Sequence, residues 1–580
     1  MTGAAPVPLP LGEGVKAKRI AVVGGGLAGL AAAAALSGRG FEIELFEARR
    51  QLGGRAASFR DPASGELVDH CQHVSMGCCT NLADFCRRTG IADAFRRDRQ
   101  LYFFGPDGRQ YPFGASRWLP APLHLGLAFL RLGYLTLGER LGVARALWKL
   151  ARTKIDDDAQ QPTVGEWLRR QGQSAAAIER FWAVVLVSAL GEDVERASLA
   201  ATRKVFVDGF LSAREAYEVE VPQIPLGELY GRRLEAWLDA QGVKLWLGAP
   251  VEQVVVDRIA AGERSSGGAS SWGGLPRPSS PDASSWGGLP RPSSPSDLGR
   301  SPHGTPNSAA SAMSLASDEQ PGATLRATGL VLPGGIHRPF DAVVVALPWR
   351  RVREVFDEPT LSTLPELARI DEIESAPITG VHLWFDREIT PLPHAVLVGK
   401  LSQWVFNRGQ RPASEGGSPG MEGRAPSPGI GMEGRAPSPG IGMEGRAPSP
   451  GGYYYQVVIS ASRDLAGRDR DEAIAQIVAE LASVWPAAGA AKLLHARMVT
   501  EQTAVFSVRP GLERLRPPQQ TPIANLALAG DWTRTGWPAT MEGAVRSGYL
   551  AAEAILRSFG QSERIVVADL PRGRLAKWLL

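Results

Sequence analysis

Residues 19–60 read RIAVVGGGLAGLAAAAALSGRGFEIELFEARRQLGGRAASFR. A short apolar strand, Arg19–Val23, runs into Gly24, Gly26 and Gly29, and an Ala/Leu helix follows to about Gly40. A second strand, Glu42–Phe46, ends in Glu47. Gly24 permits the tight strand-to-helix turn, Gly26 lets a pyrophosphate approach the backbone, and Gly29 lets the helix pack on the sheet. The helix opening, through Leu27 and Ala28, aims unpaired N–H groups and the positive end of the helix dipole at phosphates. Glu47 lies 23 positions after Gly24, close to the ~20 expected of an acid that binds adenosine ribose hydroxyls, with Ala48 and Arg49 beside it. Strand, glycines, helix, strand and acid occur in order, so a dinucleotide site is expected.

Gly53-Gly54-Arg55 follow Glu47 closely. Glu-x5-Gly-Gly-Arg resembles the second signature of the flavin-dependent amine oxidase and carotenoid desaturase superfamily. That resemblance implies FAD rather than NAD as the cofactor.

At the other end, NLALAGDWTRTGWPATMEGAVRSGYLAAEAIL gives a strand, Leu526–Ala529, then Gly530-Asp531 and a helix opened near Met541-Glu542-Gly543-Ala544. Gly530 allows close approach, and Asp531 can accept hydrogen bonds from ribityl hydroxyls. The N–H groups of the Met541–Ala544 turn can face the flavin edge where negative charge builds on reduction. Val251 stands where the superfamily commonly meets the adenine with a valine backbone; it also reads as an ordinary strand residue.

The resemblance narrows at Asp69-His70-Cys71-Gln72-His73. Hydroxysqualene dehydroxylases of hopanoid-producing bacteria carry Asp-Asn-Gly-Gln-His at this place. Gln72 and His73 match; His70 and Cys71 depart. Cys71 in place of glycine denies the loop free access to positive φ. ITGVHLWFD, QWVFNR and VVISAS also resemble the hydroxysqualene dehydroxylase pattern. His73 reads either as a hydrogen-bonded structural residue or as a polar group lining a flavin pocket. The resemblance implies that reduced FAD converts hydroxysqualene to squalene; since an allylic hydroxyl leaves poorly unless protonated, His73 is expected as the acid, with Asp69 orienting it and Gln72 alongside. Three alternatives stay open: a carotenoid-type desaturase, an amine oxidase, and a FAD-containing escort protein without turnover.

Composition bounds the rest. The 580 residues suffice for more than one domain, and a net charge of +4 without a long basic run excludes a nucleic-acid binder. The N-terminal MTGAAPVPLPLGEGVKAK lacks the regions of a signal peptide and reads as a tail. No uninterrupted apolar run reaches the ~18 residues of a spanning helix, so a cytoplasmic protein is expected, either free or peripheral to the inner membrane. Cys71, Cys78, Cys79 and Cys86 have C-x6-C-C-x6-C spacing, unlike structural zinc pairs. Buried thiols on one helix face are expected, and no metal. The segment WLPAPLHLGLAFLRLGYLTLGERLGVARALWKLAR reads either as two core helices or as an apolar funnel or membrane patch edged by Trp and Arg. An apolar isoprenoid substrate suits the second; the electron donor is not encoded in any pattern here.

Two stretches interrupt the pattern. SSWGGLPRPSSP occurs at 270–281 and 284–295, and MEGRAPSPGIG at 421–431 and 432–442. Such composition buries too little apolar surface to offset ordering entropy, so both read as surface-loop insertions. The expected fold is α/β: a doubly wound FAD-binding domain interleaved with an α+β substrate domain. A tail covers 1–18. Cofactor-domain segments are 19–75, 223–262, 323–350 and 511–560; substrate-domain segments are 76–222, 351–408 and 452–510. The insertions are 263–322 and 409–451, and a C-terminal tail covers 561–580.

Overall fold

The computed structural model describes residues 17–62, 65–155, 158–259, 324–411 and 451–580. Both repeat-bearing insertions fall outside these, save at their edges, and so does most of the N-terminal tail. Contacts divide the chain into one unit of residues 1–257 and 325–580 and a second of 258–324; of the second, the structure describes only Arg258, Ile259 and Thr324.

A five-stranded sheet forms the base of the cofactor side. Its spatial order is Lys244–Leu247, Phe41–Glu47, Lys18–Val23, Ala342–Val345, Leu526–Leu528, all parallel. The runs Ile20–Val23, Ile43–Phe46, Ala342–Val345 and Leu526–Leu528 are buried on both faces, as continuous apolar stretches require, whereas the edge strand Lys244–Leu247 is half exposed. Ile20 and Val22 join a core with the helices Leu27–Leu36 and Met541–Ser558; Ala21 and Val23 join the core on the opposite face. The first helix, LAGLAAAAAL, is buried along its whole length. Its small residues let the C-terminal helix cross closely: a Cβ on Gly548 would lie 2.2 Å from the Ala28 carbonyl oxygen. That crossing brings the helices of the two cofactor signatures together.

A seven-stranded sheet forms the second layer. Its order is Leu493–Phe506, Ser375–Phe385, Gly452–Ser460, Trp404–Arg411, His394–Leu397, Gln100–Phe104, Gln110–Gly114. The last two form a hairpin about Pro106-Asp107-Gly108. Leu493–Phe506 is one continuous strand that follows Ser375–Phe385 through a bulge between Ala376 and Ile378. Trp404–Arg411 and Gly452–Ser460 pair antiparallel as far as Arg411 opposite Gly452. Strand therefore extends to Arg411, inside the stretch read as insertion from 409.

The apolar stretch after Arg117 resolves into a short helix, Gly126–Leu130, and a long one, Leu137–Arg152, opened by a Thr136–Glu139 capping box. Val143, Ala146 and Leu150 are buried, whereas Leu137, Leu141 and Trp148 face outward. The C-terminal tail is tied down. Glu553 accepts the N–H groups of Ile565 (2.7 Å) and Val566 (2.9 Å), and Asp569 bonds both Lys204 and Arg546. Among the described residues no helix is long and apolar enough to cross a membrane.

Candidate active site

The glycine loop leaves the Lys18–Val23 strand at Gly24, whose φ is +111°. A Cβ there would stand 2.6 Å from the Ala346 carbonyl oxygen, and one on Gly29 would stand 1.9 Å from that of Gly24. Gly26 differs: the nearest atom to its added Cβ is the Gly54 Cα at 3.9 Å. Its front is open, beside the unpaired first-turn N–H groups of Leu27, Ala28 and Gly29. Gly53 donates its N–H to the Gly25 carbonyl at 2.9 Å, which sets Gly53-Gly54-Arg55 against the loop. Glu47 accepts the N–H groups of Gly25 (2.7 Å) and Arg49 (2.8 Å), one on each oxygen. Each oxygen retains a lone pair for a hydroxyl. The backbone of Gly248 and Ala249 bonds Arg49 and Glu47, which places Val251 two residues beyond this corner. All these groups gather at the carboxyl ends of parallel strands, where open α/β sheets bind ligands.

The second signature meets the first. Gly530 has a φ of +144° and faces Trp532, whose Nε1 would be 2.2 Å from any Cβ. Asp531 is buried, and its Oδ1 accepts from Arg55 Nη2 at 2.5 Å. The two residues lie 476 positions apart in sequence. Oδ2 of Asp531 takes no protein hydrogen bond among the described residues. The Met541–Ser558 helix corrects two expectations. Thr540 accepts the Gly543 N–H on its hydroxyl and the Ala544 N–H on its carbonyl, each at 3.0 Å, so Met541 and Glu542 hold the free N–H groups. The Glu542 carboxylate turns away from the loop. It accepts from Asn81 Nδ2 (2.8 Å) and from the backbone of Asn81 and Leu82, capping the Thr80–Arg88 helix. Burial raises its pKa above the usual carboxylate value.

Open backbone at Gly26, the ribose-side acid Glu47, and the half-used carboxylate of Asp531 are a donor and acceptor set that fits FAD.

The Asp69–His73 loop leaves the Leu67–Asp69 strand. Asp69 does not orient His73. Its Oδ1 accepts from Ser58 Oγ (2.5 Å) and from the Leu226 N–H (2.8 Å), which fastens this strand to the 226–227 turn. Burial pushes its pKa up. His73 Nδ1 instead bonds the Cys71 carbonyl at 3.0 Å. A carbonyl can only accept, so Nδ1 carries the hydrogen and Nε2 is the basic nitrogen of the neutral ring. Burial lowers the His73 pKa; Cys71, Asp69, Arg55 and His70 are its other influences. Gln72 Nε2 donates to the His73 carbonyl at 2.9 Å and braces the loop.

Cys71 sits at negative φ, so the loop does without the conformational freedom of glycine. The space comes from the facing strand: a Cβ on Gly380 would stand 2.5 Å from the His70 oxygen and 3.3 Å from the Cys71 Cβ. A glycine inside ITGVHLWF is the sequence signal for such a close approach. Burial raises the Cys71 thiol to about 12, so it is not a thiolate at neutral pH. Cys78, Cys79 and Cys86 pack in the cofactor-side core, but only Cys86 lies within the Thr80–Arg88 helix; the shared helix face does not form. Among the described residues no group of histidine, cysteine and acid side chains could hold a metal.

The flavin containing amine oxidoreductase family profile matches residues 316–556, and that of the NAD(P)-binding Rossmann-like domain matches 22–89. The chain is an FAD-dependent oxidoreductase of the flavin amine oxidase and carotenoid desaturase superfamily. Zeta-carotene desaturase of Synechocystis sp. is 22% identical to this flavoprotein over 95% of the chain and 100% of its own length. Hydroxysqualene dehydroxylase of Rhodopseudomonas palustris is 24% identical over 93% of the chain and 98% of its own. The solved structure of cyclohexylamine oxidase from Brevibacterium oxydans shares the fold, with a TM-score of 0.57 at 15% identity over 94% of this chain and 100% of that one.

Proposed function

We propose that this flavoprotein is a hydroxysqualene dehydroxylase, removing an allylic hydroxyl from an apolar isoprenoid to leave squalene. The observation that carries the reading is His73. An allylic hydroxyl leaves poorly unless protonated, whereas dehydrogenation of a hydrocarbon has no hydroxyl to protonate. His73 supports the first reaction: its Nδ1–H is fixed on the Cys71 carbonyl, and Nε2 is the atom that gains and gives a proton. Because burial lowers its pKa, the protonated ring is a stronger acid than an exposed imidazolium. The oxygen then departs as water. Bound FAD, when reduced, supplies the hydride that replaces the hydroxyl. Arg55 and Asp531 would hold the ribityl side, Glu47 the ribose, and the Gly24–Gly29 loop the pyrophosphate. Gln72 and Gly380 keep the His73 loop in place, and the buried sheet face beneath excludes water.

The apolar substrate also supports a membrane-edge location. Trp118 is 91% exposed and Trp578 79%, with Leu137, Leu141 and Trp148 outward on one helix and Arg140, Lys149 and Arg152 among them. That is the makeup of an interfacial patch. Sedimentation with phosphatidylglycerol vesicles tests it: the wild type should pellet and Trp118→Ser/Trp578→Ser should stay in solution.

The deciding experiment is anaerobic. Reduced enzyme mixed with hydroxysqualene should be reoxidised with formation of one squalene per flavin. Flavin reduction by a more saturated polyene, without squalene formation, would move the assignment to a carotenoid-type desaturase.

A further inference from the structure

The register of the seven-stranded sheet places His394, Phe406, Gln456 and His382 side by side on four successive strands. Directly opposed residues share a face, so these four point the same way, toward the Asp69–His73 loop that rests on Gly380 two residues from His382. Gln456 is 1% exposed, and among the described residues neither Oε1 nor Nε2 has a hydrogen-bond partner. His382 is also buried; its Nδ1 bonds the Tyr454 hydroxyl at 2.7 Å, and its Nε2 has no partner among the described residues. A carboxamide buried with both ends unpaired is destabilising and requires an explanation.

We propose that Gln456 and His382 form a hydroxyl-binding subsite for a ligand that is otherwise hydrocarbon. The chemistry of the pair fits that ligand. A hydroxyl both donates and accepts, and Gln456 offers one atom for each. The carboxamide and imidazole are uncharged, since burial holds the His382 pKa down at about 3, so the pair offers no counter-charge to an ammonium or a carboxylate. The neighbours are largely aromatic: Trp404 stacks on Phe406 at 5.6 Å, Trp384 stacks on Tyr454 at 4.7 Å, and Phe59 meets His382 edge-on; the one charged residue opposed to His382 in the sheet, Arg497, lies 3.9 Å from the Asp61 carboxylate. This subsite deepens the dehydroxylase reading by naming what selects the alcohol over the hydrocarbon product, and it rests on that reading for the choice of alcohol.

The test is binding to the FAD-loaded, oxidised enzyme, which cannot perform the reductive reaction. Hydroxysqualene and squalene are titrated separately in detergent micelles, with tryptophan emission as the signal. The wild type should bind the alcohol about tenfold or more tightly than the hydrocarbon. Gln456→Leu should bring the two within about threefold while squalene affinity holds, and His382→Phe should reduce the ratio in part. Equal affinities in the wild type would overturn the subsite without any variant being made. An unchanged ratio in Gln456→Leu with native circular dichroism would overturn it too. Loss of squalene formation in the anaerobic assay with the alcohol preference intact would remove the dehydroxylase reading and leave this subsite standing.

Discussion

The two faces of the seven-stranded sheet are built from alternate residues of the same strands and have opposite characters. One face carries Val381, Leu383, Phe385, Val405 and Val457, closed by Ala473, Ile477 and Leu481 of the helix Arg470–Val484. The other carries Gly380, His382, Tyr454, Gln456 and Phe406. Both are buried. Burial alone therefore does not separate core from site; polarity within burial does. The closed face is filled by hydrocarbon with nothing left to satisfy, while the open face holds polar atoms that the protein itself leaves unpaired.

The comparison can be broken in graded ways. The largest effect falls on the open side: His73→Ala should lower squalene formation about 100- to 10,000-fold, as expected for loss of a general acid, while flavin absorbance is retained. Full activity in that variant would sink the acid assignment. Next is a cavity on the closed side. Leu383→Ala should cost about 2–5 kcal/mol in a urea titration, with kcat of the folded fraction unchanged. Gly380→Ala, the variant that joins the two faces, forces a methyl against the His70 oxygen. It should cost about 1–3 kcal/mol and also slow turnover by displacing the His73 loop.

A smaller effect concerns pH. His382 has its pKa lowered to about 3, first by burial, against opposing and assisting charges from Asp61, Arg497, His70 and His495. As pH falls through the ordinary histidine value near 6.5, the unfolded chain binds a proton that the folded chain refuses. Stability is thus lost from about pH 6.5 down toward pH 3, by up to about 1.4 kcal/mol per pH unit from this group. His382→Phe should flatten the stability profile by that slope, read from urea midpoints at pH 5 and pH 7.

Much of the cofactor site is legible in the chain because glycine requirements are local. Gly24, Gly29 and Gly530 each answer to an atom within a short distance, and their spacing announces a turn. What sequence reading misses is set by pairing across hundreds of residues. Asp69 looks like a partner for His73, four positions on, yet its hydrogen bonds go to Ser58 and Leu226. Glu542 stands in the flavin motif, but a helix beginning at Thr80 claims its carboxylate. Arg55 and Asp531 are each readable as cofactor residues, and only the fold makes them an ion pair. Gln456 is one polar letter in YYYQVVISAS; its isolation depends on what stands on the strands either side.

The hairpin between Arg411 and Gly452 has a practical consequence. Those two residues are paired, so the ends of the intervening segment are held one strand spacing apart, about 4.7–4.9 Å, whatever the segment contains. Because closure entropy grows only with the logarithm of loop length, halving or doubling that segment changes stability by about 0.6 kcal/mol. The position is a natural port for cargo: a fluorescent domain or an affinity tag could be spliced there, or the segment cut to a tight turn, with the catalytic architecture left alone.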